Sequence, residues 1–267
     1  MEYDLEETLN NKMYNHYAES LSHFNEDQII GVFLYGNSNY DISIPNDKIK
    51  SKLITVSSEY EIGNINFLSS TTHTTLDKEW VSFEDIRFYF NNLKEQDLSS
   101  IEILFTNYFL LNETYEDIWN DLIEYRELIA RMNPCLFINN IFKESQVSYK
   151  SLLSNPIDKQ YLVEKFGYNP EQLYNLLRLD SLLSKYIDNE PYEECIKLNS
   201  PDELLKVING EYKKEFALKL STTTFEHISS LKDNYFKLHN KNIELSEAVN
   251  IIDKVEDDIL AKFKENG

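Results

Sequence analysis

Glycine and proline are scarce, with six of each among 267 residues, where average usage is roughly 12% for the two together. So few turn formers exclude a sandwich of many tight hairpins and favour long helices. Cysteine is rarer still: Cys135 and Cys195 stand alone and far apart. That excludes a disulfide framework. The five histidines (His16, His23, His73, His227, His239) fall in no HxxxH or HExxH spacing, which argues against structural zinc. No apolar run reaches the ~18 residues of a membrane span, and the opening MEYDLEETLNNK has neither the basic start nor the apolar stretch of a signal peptide. These absences predict a soluble, cytoplasmic protein with no membrane partner.

Basic residues are the other shortage. Lys and Arg number 26 against 46 acids, a formal charge of −20. At that charge a phosphate backbone is repelled at long range, so direct nucleic-acid binding is disfavoured and a basic protein partner is favoured. What is present in quantity is ordinary for a folded domain: 42% hydrophobic and 27% charged residues.

Residues 2–24 carry Tyr14, Tyr17, Leu21 and Phe24 at helical spacing. The run Gln28–Tyr35 is continuously apolar after its first residue and ends at Gly36-Asn37-Ser38-Asn39, the pattern of a buried strand entering a turn. Lys48–Ser57 and Glu79–Phe83 read as further strands, with a helix over Asp85–Lys94. His73, in the polar run Ser69–Thr75, reads as a loop residue. Beyond about residue 99 helices are predicted over Ser99–Phe105, Tyr115–Met132, Pro134–Leu153, Pro170–Ile187, Pro201–Ile208, Lys213–His239 and Leu245–Phe263. Pro134, Pro170 and Pro201 suit first-turn positions, and Asn209-Gly210 is a stop signal. Phe88, Tyr89, Phe90, Phe105, Tyr108, Phe109, Trp80 and Trp119 read as core, and Asp253–Asp258 as an exposed helix face. The expected fold class is α+β: a small mixed-sheet lobe with an N-terminal helix over residues 1–132, then a helical domain over 133–267.

The order strand, Gly-containing turn, second strand resembles the nucleotidyltransferases of the DNA polymerase β-like superfamily. The match is to the branch common in phages and their bacterial hosts, whose motif reads GSxxYGLxxxxSDxD. Gly36-Asn37-Ser38-Asn39-Tyr40 through Lys48-Ile49-Lys50 can be laid on it without a gap. Phe83-Glu84-Asp85-Ile86-Arg87, Ile101–Thr106 and Phe166–Arg178 extend the resemblance over about residues 28–210. The resemblance implies a nucleotidyltransferase-like lobe in which an Asp-x-Asp pair and a third acid hold two Mg²⁺ against a nucleoside triphosphate, hard oxygen ligands being what Mg²⁺ takes.

The chain departs from that pattern at the acids that carry its chemistry. Lys48 and Lys50 stand where the family has its aspartates, Ser82 where it has its third acid, and Asn37 where it has the turn serine. The family's GYDxKxxxHxxR reads here with Glu171 for Lys and Asn175 for His, while Arg178 persists. Gly36, Asn37, Lys48, Lys50, Ser82, Glu171, Asn175 and Arg178 thus outline a degenerate former active site. Ammonium groups repel Mg²⁺, so no catalytic residue, no metal site and no cofactor are expected.

The coordinated exchange predicts an ion pair of Lys48 or Lys50 with Glu171. Two alternatives remain. In one, Asp41, Asp47, Glu84 and Asp85 supply a shifted acid set for a Mg²⁺-dependent transferase acting on a hydroxyl of RNA, protein or a small molecule; yet Asp47 would then be paired with Ile49, and no Asp-x-Asp exists in either register. In the other, Lys48, Lys50 and Arg178 cradle a triphosphate without metal as a nucleotide sensor. The leading expectation is a pseudoenzyme that acts by binding, such as an acidic phage-type inhibitor of a host defence complex that occupies a basic nucleic-acid groove.

Overall fold

The computed structural model describes residues 5–36, 39, 48–57, 70–154, 160–239 and 246–266. The fold is α+β, with the strands confined to the N-terminal half. Helix α1 (Leu5–Ser20) and a 3-10 turn (Glu26–Gln28) lead into β1 (Ile29–Tyr35), followed by β2 (Lys50–Thr55), β3 (Thr71–Thr74) and β4 (Trp80–Asp85). Then come α2 (Ile86–Lys94), α3 (Leu98–Glu102), β5 (Phe109–Leu111), α4 (Glu116–Glu124) and α5 (Arg126–Ala130). The rest is helical: α6 (Pro134–Lys150), α7 (Gln160–Phe166), α8 (Pro170–Ile187), α9 (Tyr192–Ile196), α10 (Pro201–Ile208), α11 (Lys214–Leu238) and α12 (Ser246–Asn266). None of the described helices is long and apolar enough to cross a membrane.

The chain divides into two compact units, residues 1–132 with 244–267, and residues 133–243. The helix α12, which the sequence reading groups with the helical domain, is therefore part of the first unit. Its buried stripe Ala248, Ile252, Val255 and Ile259 recurs at helical spacing and needs a packing partner, which α2 and α4 supply.

In the first unit five strands form one sheet in the order β3-β4-β2-β1-β5. Only β2 and β4 run parallel; the other neighbours are antiparallel. β1 lies between β2 and β5 and is buried on both faces, which explains an apolar run with no polar alternation. A register shift between Ile29 and Gly31 turns Ile29 onto the same face as Val32 and Leu34. There they pack with Leu9 and Met13 of α1 and with Leu53 and Val81. On the opposite face Phe33 stacks on Trp119, ring centroids 4.7 Å apart, and Trp119 on Tyr89.

Several sequence expectations are corrected. His73 belongs to β3 and not to a loop: Thr71–Thr74 pairs with β4, opposing His73 to Val81. It escapes a sequence reading because an edge strand exposed on both faces shows no apolar alternation. The predicted helix Tyr115–Met132 is two helices, broken at Tyr125. Trp80 and Phe109 are not core; they are 37% and 47% exposed.

In the second unit α6, α8 and α11 pack together. Phe137, Leu176, Leu179, Leu183 and Ile228 fill the interior, and Ala217 and Ser221 give α11 a small-residue buried face. The proline signals hold here: Pro134 and Pro170 begin α6 and α8, after Asn133 and Asn169 cap the N–H groups of Leu136 and Glu171.

Candidate functional site

Strand alternation brings Phe33, Tyr35, Lys50, Lys52, Trp80, Ser82 and Glu84 to one face of the sheet, because Phe33 opposes Lys52, and Lys52 opposes Ser82. Gly36 ends β1 with φ +83°, a conformation that favours glycine. Its N–H donates to Glu102 Oε1 at 2.7 Å, fixing the turn to α3. Asn39 joins the same carboxylate at 3.3 Å and accepts from the Thr106 hydroxyl at 2.7 Å. Asn37, Asp41 and Asp47 lie outside the described residues.

The centre of this face is a buried ion pair. Lys52 and Glu84 are 3% and 4% exposed, and the Lys52 ammonium lies 2.9 Å from Glu84 Oε1 and donates to Oε2 at 3.1 Å. It also donates to Ser100 Oγ at 3.3 Å, and that hydroxyl donates onward to Asp97 Oδ2 at 2.8 Å. Ser82 donates to Glu84 Oε1 at 3.3 Å. Tyr35 completes the surround, with the ammonium 5.8 Å from its ring. Burial, and then the charges of Glu84, Glu102 and Asp97, push the Tyr35 phenol up to about 12. Burial and nearby carboxylates likewise raise the Tyr89 phenol well above its ordinary value, so both stay neutral hydrogen-bonding groups at physiological pH.

The register revises the sequence reading. Ser82 opposes Lys52, while Lys50 opposes Trp80. Lys48 and Lys50 are exposed, their ammoniums 5.8 and 5.6 Å from the Trp80 ring. The residues that meet at the centre are therefore Lys52, Ser82, Glu84 and Ser100. Lys52 and Ser100 were missed. A lysine followed directly by Leu53-Ile54 in a strand was the available signal, since a buried ammonium demands a carboxylate.

Glu171, Asn175 and Arg178 lie on α8 in the second unit, so the expected pair of Glu171 with Lys48 or Lys50 joins residues of different units. Within α8, Arg178 donates from Nε and Nη2 to Asn175 Oδ1 at 3.3 and 3.0 Å, and Asn175 donates to Ser148 Oγ at 2.8 Å.

A second polar cluster joins α1 to the opposite face of the sheet. His16 contacts Ser51 Oγ through Nδ1 at 2.7 Å and Glu79 Oε2 through Nε2 at 3.0 Å. Lys12 donates to Glu79 Oε1 at 2.6 Å, as does the Ile49 N–H at 3.2 Å. Burial pushes the Glu79 carboxyl up, but the hydrogen bonds from His16, Lys12 and Ile49 overcome it and hold it at about 2. Serine, histidine and carboxylate in a row have the composition of a nucleophile relay. Ser51 and His16 are 0% and 1% exposed, however, so no substrate reaches the hydroxyl, and the cluster ties the helix to the sheet.

The two-metal site that the resemblance implies needs convergent carboxylates. Among the described residues no group of three His, Cys, Asp or Glu side chains is arranged to hold a metal ion. Glu84 is committed to Lys52, and Asp85 is committed to Arg87 Nε and Nη2 at 2.6 and 2.7 Å. These residues do not fit Mg²⁺. No protein-family model matches the chain, and no curated protein is significantly similar to it.

Proposed function

We propose that the protein acts by binding a basic protein partner and not by transferring nucleotides. The observation that carries this is the Lys52–Glu84 pair: an ammonium sits at the buried centre of the sheet face and occupies its carboxylate. With that carboxylate occupied, the described residues of the face offer no ligand set for metal-assisted phosphoryl transfer. The charge of −20 gives the molecule long-range attraction for cationic surfaces, and the basic nucleic-acid groove of a host defence complex has the matching chemistry.

A thermal-shift screen against the four ribonucleoside triphosphates, with and without Mg²⁺ or Mn²⁺, tests the reading by mass action. No shift in any condition is expected. A metal-dependent shift, or consumption of triphosphate, overturns it and returns the chain to the transferases. A shift that needs no metal supports a nucleotide sensor instead, a reading favoured by Lys48 and Lys50 standing over Trp80.

A further inference from the structure

The open edge of the sheet carries a more specific reading. β5 is the terminal strand on its side. Leu34 N–H donates to Tyr108 O, and Asn112 N–H to Ile30 O, both across the β1 junction. In an antiparallel pair the inward and outward backbone groups alternate, so Tyr108, Leu110 and Asn112 spend theirs on β1. The N–H and C=O of Phe109 and Leu111 then point away from the sheet.

Beside this edge lies an open groove of about 1130 Å³. Its apolar wall is Tyr14 and Tyr17 of α1 with Leu110 and Leu111 of β5. Its other lining is acidic: Glu26, Asp27, Glu113 and Asp117, all exposed, against the single ammonium of Lys262. None of the four carboxylates pairs with a cation of the described residues.

The geometry points to β5 as a docking edge for an extended, lysine- or arginine-rich segment of a partner protein, which adds to the sheet as a sixth strand. Backbone bonds to Phe109 and Leu111 align the segment; side chains on one face enter the groove against Tyr14, Tyr17 and Leu110, and its cations meet the four carboxylates. Charge selects the occupant. A strand of this chain's own composition would bring carboxylates onto carboxylates, and a nucleic acid would bring phosphates. This inference rests on the basic-partner reading above and names its site.

The probe is a twelve-residue acetylated and amidated peptide alternating Lys with Val, with two controls: the same peptide N-methylated at alternate residues, which cannot pair as a strand, and one with Glu for Lys. Binding to the full chain is followed by titration, and amide hydrogen exchange is read with and without peptide. The Lys peptide is expected to slow exchange at Phe109 and Leu111, while both controls bind at least about tenfold more weakly. The double variant Glu113→Lys/Asp117→Lys should lose about tenfold in affinity at low salt and keep its melting temperature, both positions being exposed.

Binding of the Lys peptide with exchange at Phe109 and Leu111 unchanged overturns the docking edge and leaves the basic-partner reading intact. Equal binding of the N-methylated peptide does the same. Concentration-dependent protection of Phe109 and Leu111 without peptide assigns the edge to a second copy of the chain and overturns the proposal. Failure of the Lys peptide and of polylysine to bind at low salt removes the basic-partner reading as well.

Discussion

Replacing Glu84 by leucine removes the one carboxylate among the described residues that is bonded to the Lys52 ammonium, and leaves that ammonium with Ser100 Oγ and the Tyr35 ring. Both partners are about 96% buried. Breaking such a pair costs roughly 3–5 kcal/mol, because an uncompensated charge remains in a low-dielectric site. Lys52→Met strands the carboxylate instead, with the Ser82 hydroxyl as its one remaining donor among the described residues, and should cost a similar amount. Lys52→Met with Glu84→Leu together removes both charges and keeps the volume filled. The residual cost is the unpaired Ser82 hydroxyl, about 1 kcal/mol, offset by the relief of desolvating two ions. The double variant should therefore lie within about 1–2 kcal/mol of the parent, while the singles sum to roughly 6–10 kcal/mol.

The assay is built into the chain. Both tryptophans, Trp80 and Trp119, belong to the first unit, so tryptophan fluorescence during urea or thermal unfolding reports that unit alone. For a body of this size 1 kcal/mol moves the melting temperature by about 2–4 °C. Each single variant should thus fall by roughly 6–20 °C, and the double should recover most of the loss. Singles that cost under about 1 kcal/mol, or a double variant as destabilised as the sum of the singles, would refute the pair as the organising contact of the face.

Two further outcomes are expected. The Glu79 carboxyl, lowered from 4.5 to about 2, contributes stability that is fully present above about pH 4.5 and is lost as pH falls through about 2; the contribution at neutral pH is about 3 kcal/mol. Glu79→Gln should flatten that part of the acid limb in a fluorescence-monitored pH titration of stability, and an unchanged slope between pH 4.5 and 2 would show that another carboxylate sets it. Gly31→Ala would put a Cβ 2.9 Å from Leu110 O and 2.9 Å from the Phe33 ring. It should destabilise the first unit by roughly 1–3 kcal/mol through strain at the β1–β5 junction, checked by urea midpoint at constant slope.

What the sequence disclosed follows from how local each signal is. α8 and α10 run over the predicted residues Pro170–Ile187 and Pro201–Ile208, because a first-turn proline and a 3.6-residue repeat lie within each segment itself. The buried strand at Ile29–Tyr35 was legible for the same reason. β5 was not: the three residues Phe109–Leu111 carry no period, and pairing with Gly31–Phe33 makes them a strand. α12 was found as a helix, while its unit was not, since the partner of an amphipathic stripe is a long-range fact. The site failed in a like manner. Laying the chain on a motif ends at Lys50, but the pairing of β2 with β4 centres the face on Lys52, two residues on and on the same side.

That two-residue difference changes the chemistry of the face. Exposed lysines over an indole, as Lys48 and Lys50 are, leave a face open to an anion. A lysine that is 3% exposed is a structural ion, the one lysine among the described residues to be fully buried, and it holds Glu84 against Ser82 and Ser100 at the centre. An acidic chain that spends a cation there spends it where it cannot meet a ligand. Four of its acids, Glu26, Asp27, Glu113 and Asp117, face solvent beside a strand with open backbone groups. Charge and hydrogen-bonding capacity are thus withdrawn from the middle of the sheet and left available at its edge. Partner binding at β5 and stability of the Lys52–Glu84 centre should consequently be separable by mutation: Lys52→Met/Glu84→Leu is expected to bind the Lys–Val peptide with parental affinity, and a loss of binding above tenfold in a variant that melts normally would mean that the centre of the face, and not its edge, carries the interaction.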